Sequence, residues 1–197
     1  MAVYTKIKKS DLTSINRKFN FENFQSFKGI KQGIENTNYL LRSKNKKFIL
    51  TIFEKRVVKK EIPFFMKLMD QLSNLNINCP KPLKNNRGNY LIRVKNKISC
   101  VVTFLDGKDK KKLNLKNCFD IGKTIAQIHL STKKLKLYRK NSMGIKNLNP
   151  LLNSVKFKSQ KFSNLEKFLK NNFKDIKNKW PKKLPQGIIH GDLFIDN

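Results

Sequence analysis

Acidic side chains are scarce in this chain: 13 Asp and Glu stand against 44 Lys and Arg in 197 residues, a formal net charge of +31. Histidine is rarer still, with two residues, and the three cysteines (Cys79, Cys100 and Cys118) are odd in number with no C-x-x-C spacing. A zinc centre and a disulfide framework are thereby excluded as organising principles, and reduced thiols in a cytoplasmic protein are expected. No apolar run approaches the roughly 18 residues that a membrane helix needs. The start, "MAVYTKIKKSDL", has no apolar stretch of the signal-peptide kind, so no membrane partner is expected. Arginine is also sparse. The cations are nearly all Lys, spread along the whole chain and accompanied by many Asn and Ile, which points to a solvated surface of biased composition. A specific nucleic-acid reader would favour Arg, whose planar fork matches phosphate and guanine. Charge alone still gives weak, salt-sensitive binding to polyanions.

What is present is a change of period along the chain. "SDLTSINRKF" reads as a short helix with Ser10 as N-cap. "FENFQSFKGIKQGIENTNYLLRSKNKKFILTIFEK" reads as strands parted by polar turns, "SKNKK" being a hairpin turn. From about Val58 the spacing of Ile62, Phe65, Met69 and Leu72 turns helical, with Pro63 tolerated in the first turn. "YLIRV" and "ISCVVTF" are two further strands, and "LDGKDKKK" is a connector. "NLKNCFDIGKTIAQIHLST" and "SNLEKFLKNNFKDI" are amphipathic helices, the second opening on a Ser163/Glu166 capping box. "RKNSMGIKNLNPLLN" reads as irregular, and "GII" as a short strand leading into the last residues. The order suits an α+β chain with a β-rich lobe over 1–105 and a helical lobe over 106–197.

Four stretches carry chemistry. The last is "HGDLFIDN", with His190, Asp192 and Asn197. Its H-x-D-x-x-x-x-N spacing matches the catalytic loop of protein kinases, with Gly191 in place of Arg. Phosphoryl transfer needs a carboxylate to accept the acceptor hydroxyl's proton and oxygen ligands for magnesium. Asp192 is the candidate base, Asn197 the candidate metal ligand, and His190 a packed residue that fixes the loop. Between the early strands, Asn36, Thr37 and Asn38 offer small polar side chains and backbone N–H groups to a phosphate, although the stretch lacks a G-x-G-x-x-G pattern. In "FILTIFEKR", Thr51 stands where protein kinases place a lysine. Lys55, on the same face by strand period, is a substitute cation with Glu61 as its partner, or both are exposed charges. Thr103, Phe104 and Leu105 line a hinge that would hold adenine through its backbone, or form an edge of the sheet.

Together these stretches resemble the aminoglycoside phosphotransferase and choline kinase-like group, whose loop is of the "HGDLFIDN" type. "MAVYTK", "FKGIKQGIENTNYLL", "FILTIFEKRV", "IPFFMKLMDQL", "CPKPL", "VVTFLDG" and "GIIHGDLFIDN" resemble the bacterial homoserine kinases within it. The resemblance implies a protein-kinase-like two-lobe fold with an incomplete helical C-lobe. It also implies ATP and Mg2+, and L-homoserine as the acceptor on the route to threonine. Members of the group carry a second metal-binding Asp beyond the loop. The expectation is therefore an N-terminal fragment with little turnover of its own. A sister kinase for choline, methylthioribose or an aminoglycoside, and a non-catalytic basic remnant, are the alternatives. Nothing in the sequence bears on oligomeric state.

Overall fold

A computed structural model describes residues 3–22, 24–33, 35–55, 57–108, 110–154 and 163–195. They fall into two compact units, 1–137 with 188–197, and 138–187.

In the first unit, helix α1 (Lys9–Phe19) precedes strands β1 (Ser26–Gly29), β2 (Thr37–Arg42) and β3 (Lys47–Ile52). A 3-10 turn over Lys59–Glu61 runs into helix α2 (Ile62–Asn74), followed by β4 (Leu91–Val94), β5 (Lys97–Thr103) and helix α3 (Leu115–Thr132). The five strands form one antiparallel sheet in the order β1-β2-β3-β5-β4.

Alternation along the strands sorts their side chains onto two faces. On one face Tyr39, Leu41, Leu50, Ile52 and Val101 are closed off by Leu12 and Ile15 of α1 and by Ile7. On the other, Cys100 and Val102 pack under Ile62 and Met66 of α2, with Ile49 and Phe53 beside them. Leu41, Leu50, Ile52 and Val101 are wholly enclosed, each contributing about 1.5–3 kcal/mol of apolar burial. Pro63 lies in the first turn of α2, where its missing N–H costs nothing.

The capping of α1 differs from the sequence reading. Lys8 is the N-cap, its N–H donating to Asp11 Oδ2 at 2.8 Å, and Ser10 lies inside the helix. The N-cap of α3 is Asn114, whose Oδ1 accepts the Asn117 N–H at 2.9 Å.

The second unit holds helices α4 (Ile145–Ser154) and α5 (Ser163–Lys179). α4 replaces the irregular segment expected there. Its Asn residues and Pro150 read as helix breakers, yet the Asn147 N–H closes a first turn onto the Gly144 carbonyl at 2.8 Å. In α5, Glu166 pairs with Lys170 one turn on at 2.6 Å.

Candidate active site

The loop that carries the phosphotransfer motif belongs to the first unit. Gly187–Ile189 is not a strand: no ladder pairs it among the described residues. Gly191 has φ +79 with no atom within 4 Å of the position a Cβ would take. Glycine adopts that left-handed backbone without strain, which accounts for its standing where protein kinases have Arg. Asp192 is exposed on this turn. His190 is exposed as well. Asn197, the expected metal ligand, lies outside the described residues.

Asn36, Thr37 and Asn38 open strand β2, and the structure gives each a different task. Thr37 is fully buried. Its Oγ1 accepts from the Tyr4 and Thr5 N–H groups at 3.0 and 3.1 Å and donates to Glu54 Oε1 at 2.7 Å. Its hydroxyl is therefore spent inside the fold and is withdrawn from any phosphate. Asn36 is half-buried and its Oδ1 accepts the Glu54 N–H at 3.3 Å. Asn38 lies on the opposite face, paired across the strands with Thr51, whose Oγ1 donates to Asn38 Oδ1 at 2.8 Å.

Lys55 does not continue the face of β3. The strand ends at Ile52, and Lys55 sits in the following turn, exposed. Among the described residues no ion pair joins it to Glu61, which is half-buried in the 3-10 turn ahead of α2. The two-residue period that put Lys55 beside Thr51 holds only while the chain stays extended and paired.

At the end of β5, Thr103 is tied to Lys81 twice: its N–H donates to the Lys81 carbonyl, and its Oγ1 accepts the Lys81 N–H, each at 2.9 Å. The Phe104 N–H donates to the Lys47 carbonyl at 3.1 Å, and the Lys47 ammonium lies 4.9 Å from the Phe104 ring centroid. That ammonium also pairs with Asp106 at 2.5 Å. Leu105 is exposed, and its backbone has no intrachain partner among the described residues. Free backbone groups after the last strand are what adenine recognition requires.

One cluster was missed by sequence reasoning. Glu54 accepts from Thr37, from Thr5 Oγ1 at 2.7 Å and from the Lys97 ammonium, which itself donates to Thr5 Oγ1 at 2.7 Å. Burial pushes the Glu54 carboxyl up, and the bonds from Lys97, Thr37 and Thr5 outweigh burial and hold it below its ordinary value. Lys97, Ser99 and Val101 share a face by alternation, and so does Ile52 opposite Ser99, so the cluster lies on the α1 side, away from α2. The partners of Glu54 come from three separate stretches, and no local signal joins them.

Residues 26–197 match the phosphotransferase enzyme family. The whole chain is 34% identical to a homoserine kinase of Parvibaculum lavamentivorans and 35% identical to one of Beijerinckia indica. It spans 62% of the length of each of these relatives. Among solved structures it is similar to a spectinomycin phosphotransferase determined with ADP and spectinomycin. That match has a TM-score of 0.60 at 12% identity over 96% of this chain and 64% of that one. It is also similar to a choline kinase from Streptococcus pneumoniae, with a TM-score of 0.52 at 19% identity over 86% of this chain and 56% of that one. These likenesses establish the protein-kinase-like fold.

Proposed function

Because this chain belongs to the phosphotransferase enzyme family, we propose that its activity is that of a homoserine kinase, transferring the γ-phosphate of ATP to the hydroxyl of L-homoserine. The observation that carries the reading is the identity to homoserine kinases along all of the chain, at 34% and 35%. Residues 1–105 form the nucleotide lobe and 106–197 belong to the acceptor lobe, in a cytoplasmic protein.

In this reading Asp192 receives the proton of the homoserine hydroxyl as that oxygen attacks the γ-phosphorus. The bond from that phosphorus to the β,γ-bridging oxygen breaks, and ADP and O-phospho-L-homoserine are released. Asp192 follows Gly191 on an exposed turn, where an acceptor hydroxyl can approach it. The loop's oxygen donors suit magnesium, which takes one or two such ligands together with nucleotide phosphates. Asn197 would hold the ion, whose bound charge offsets that of the phosphates. Leu105 offers its backbone to adenine, flanked by Thr103 and Phe104, and Asn36 and Asn38 border the phosphates.

The test is ADP release by the product of the complete reading frame that contains these residues, offered L-homoserine, choline, methylthioribose and an aminoglycoside in turn. Release with homoserine alone is expected. Asp192→Asn is expected to lower turnover by about 10²–10⁴-fold, the usual share of a general base. Release with choline or an aminoglycoside in its place would overturn the assignment.

A further inference from the structure

Protein kinases hold the α- and β-phosphates with a lysine on β3, and here that position is Thr51. What replaces the cation is set by the sheet. The Ile30 N–H donates to the Asn38 carbonyl, so the backbone of Asn38 bonds toward β1. The Phe53 N–H donates to the Ile98 carbonyl, so β3 residues two apart, Thr51 included, bond toward β5. Asn38 and Thr51 therefore form a non-hydrogen-bonded cross-strand pair, the kind in which facing side chains come closest. Their contact is the 2.8 Å bond from Thr51 Oγ1 to Asn38 Oδ1.

That bond has a consequence for the other end of the amide. With Oδ1 held by Thr51, the Asn38 NH₂ is the end of the amide left over, and it donates to nothing among the described residues. It is not among the buried polar atoms that lack a partner, so solvent reaches it. The pair is half-buried on the face that carries α2, between Ile49 and Phe53, both packed against the α2 cluster. An open pair of N–H donors in a half-dry, otherwise apolar setting is a place for an anionic oxygen.

Resting on the kinase reading above, we propose that the Asn38 carboxamide, aimed by Thr51, binds a phosphate oxygen of the nucleotide in place of the missing β3 lysine. Asn38 makes the contact, and Thr51 acts through it as a positioning residue.

The experiment is equilibrium binding of MgADP and of adenosine, without acceptor, to the product of the complete reading frame. The variants are Asn38→Ala, Thr51→Val, Thr51→Ser and the Asn38→Ala/Thr51→Val double. Asn38→Ala is expected to weaken MgADP by about tenfold or more, the usual effect of losing a hydrogen bond to a charged group. Thr51→Val is expected to weaken it by a smaller factor, and Thr51→Ser, which keeps the hydroxyl, to restore it. The double variant should bind no worse than Asn38→Ala, because Thr51 has no effect once Asn38 is gone. Adenosine, which has no phosphate, should bind all five proteins alike. Unchanged MgADP affinity in Asn38→Ala, or an equal loss for adenosine, overturns the inference and leaves the kinase reading standing. Failure of the unsubstituted protein to bind MgADP overturns both.

Discussion

The carboxylate of Glu54 is 10% exposed and receives bonds from Thr5, Thr37 and Lys97. Its folded value lies below the ordinary 4.5. The stability it contributes is therefore fully present above pH 4.5 and is lost as pH falls through the folded value. Glu54→Gln is expected to lower stability at pH 7 by about 1–3 kcal/mol, the cost of leaving buried partners unmet. The variant should also lose less stability than the parent between pH 5 and pH 3, roughly where carboxylates protonate. Thermal melts across that range read both effects. The thiols divide in the same way by environment. Burial pushes Cys100 up to about 12 and raises Cys79, whereas Cys118 is exposed. Since the thiolate is the reactive form, alkylation of the native chain at neutral pH should label Cys118 first and Cys100 only after unfolding, as peptide mass mapping would report.

Among the elements, the β4–β5 hairpin turns on Lys95 and Asn96, both left-handed with φ 48 and 60. Two such residues make the tight turn whose twist matches the strands, for which Asn-Gly is the preferred pair. Asn96→Gly is expected to raise stability by about 0.5 kcal/mol by relieving the strain of a side chain there, measured as the shift in denaturant midpoint. Lys95 adds a 3.2 Å ion pair to Asp11 at the start of α1, so the turn also braces the helix that covers the sheet. The Asp11 carboxyl is held low chiefly by the Lys8 N–H, against burial, with help from Lys95. Helix α3 shows what period alone leaves open. Its helical spacing is evident in the sequence, yet Leu115, Phe119 and Leu130 are 90%, 71% and 63% exposed. Amphipathicity marks the face that favours burial and does not name what covers it.

For the molecule as a whole the charge of +31 dominates. The surface ion pairs seen, such as Lys116–Asp120 at 3.2 Å, are few beside the cations, and each contributes little. Self-repulsion should make the melting temperature rise as sodium chloride is raised from about 0.05 to 0.5 M, where the Debye length falls from above 10 Å to a few Å. Calorimetry at the two concentrations checks this, and a flat or falling melting temperature would contradict it. Binding to single-stranded nucleic acid should disappear over the same range, as counterion release requires.

The strands of the sheet, α1, α2 and α3 were legible in sequence because period, breakers and turn residues act over a few neighbours. The spacing of the expected phosphotransfer loop was readable for the same reason, since His190, Gly191 and Asp192 are adjacent by covalent structure. α4 was missed because Pro150 and its Asn neighbours argue locally for a loop, although the helix forms around them with no residue of it buried. The division of labour within Asn36-Thr37-Asn38 was beyond the sequence. Three small polar residues in a row look alike until strand register sends Thr37 to the α1 face and Asn38 to the α2 face. The partners of Glu54 were equally hidden: Thr5 lies 49 residues away and Lys97 lies 43 away, and only the folded sheet with the segment ahead of α1 laid against it joins them. Local order follows from the chain's own stereochemistry. Which polar groups are spent inside, and which stay open to a ligand, was decided by contacts that exist only once distant strands have paired.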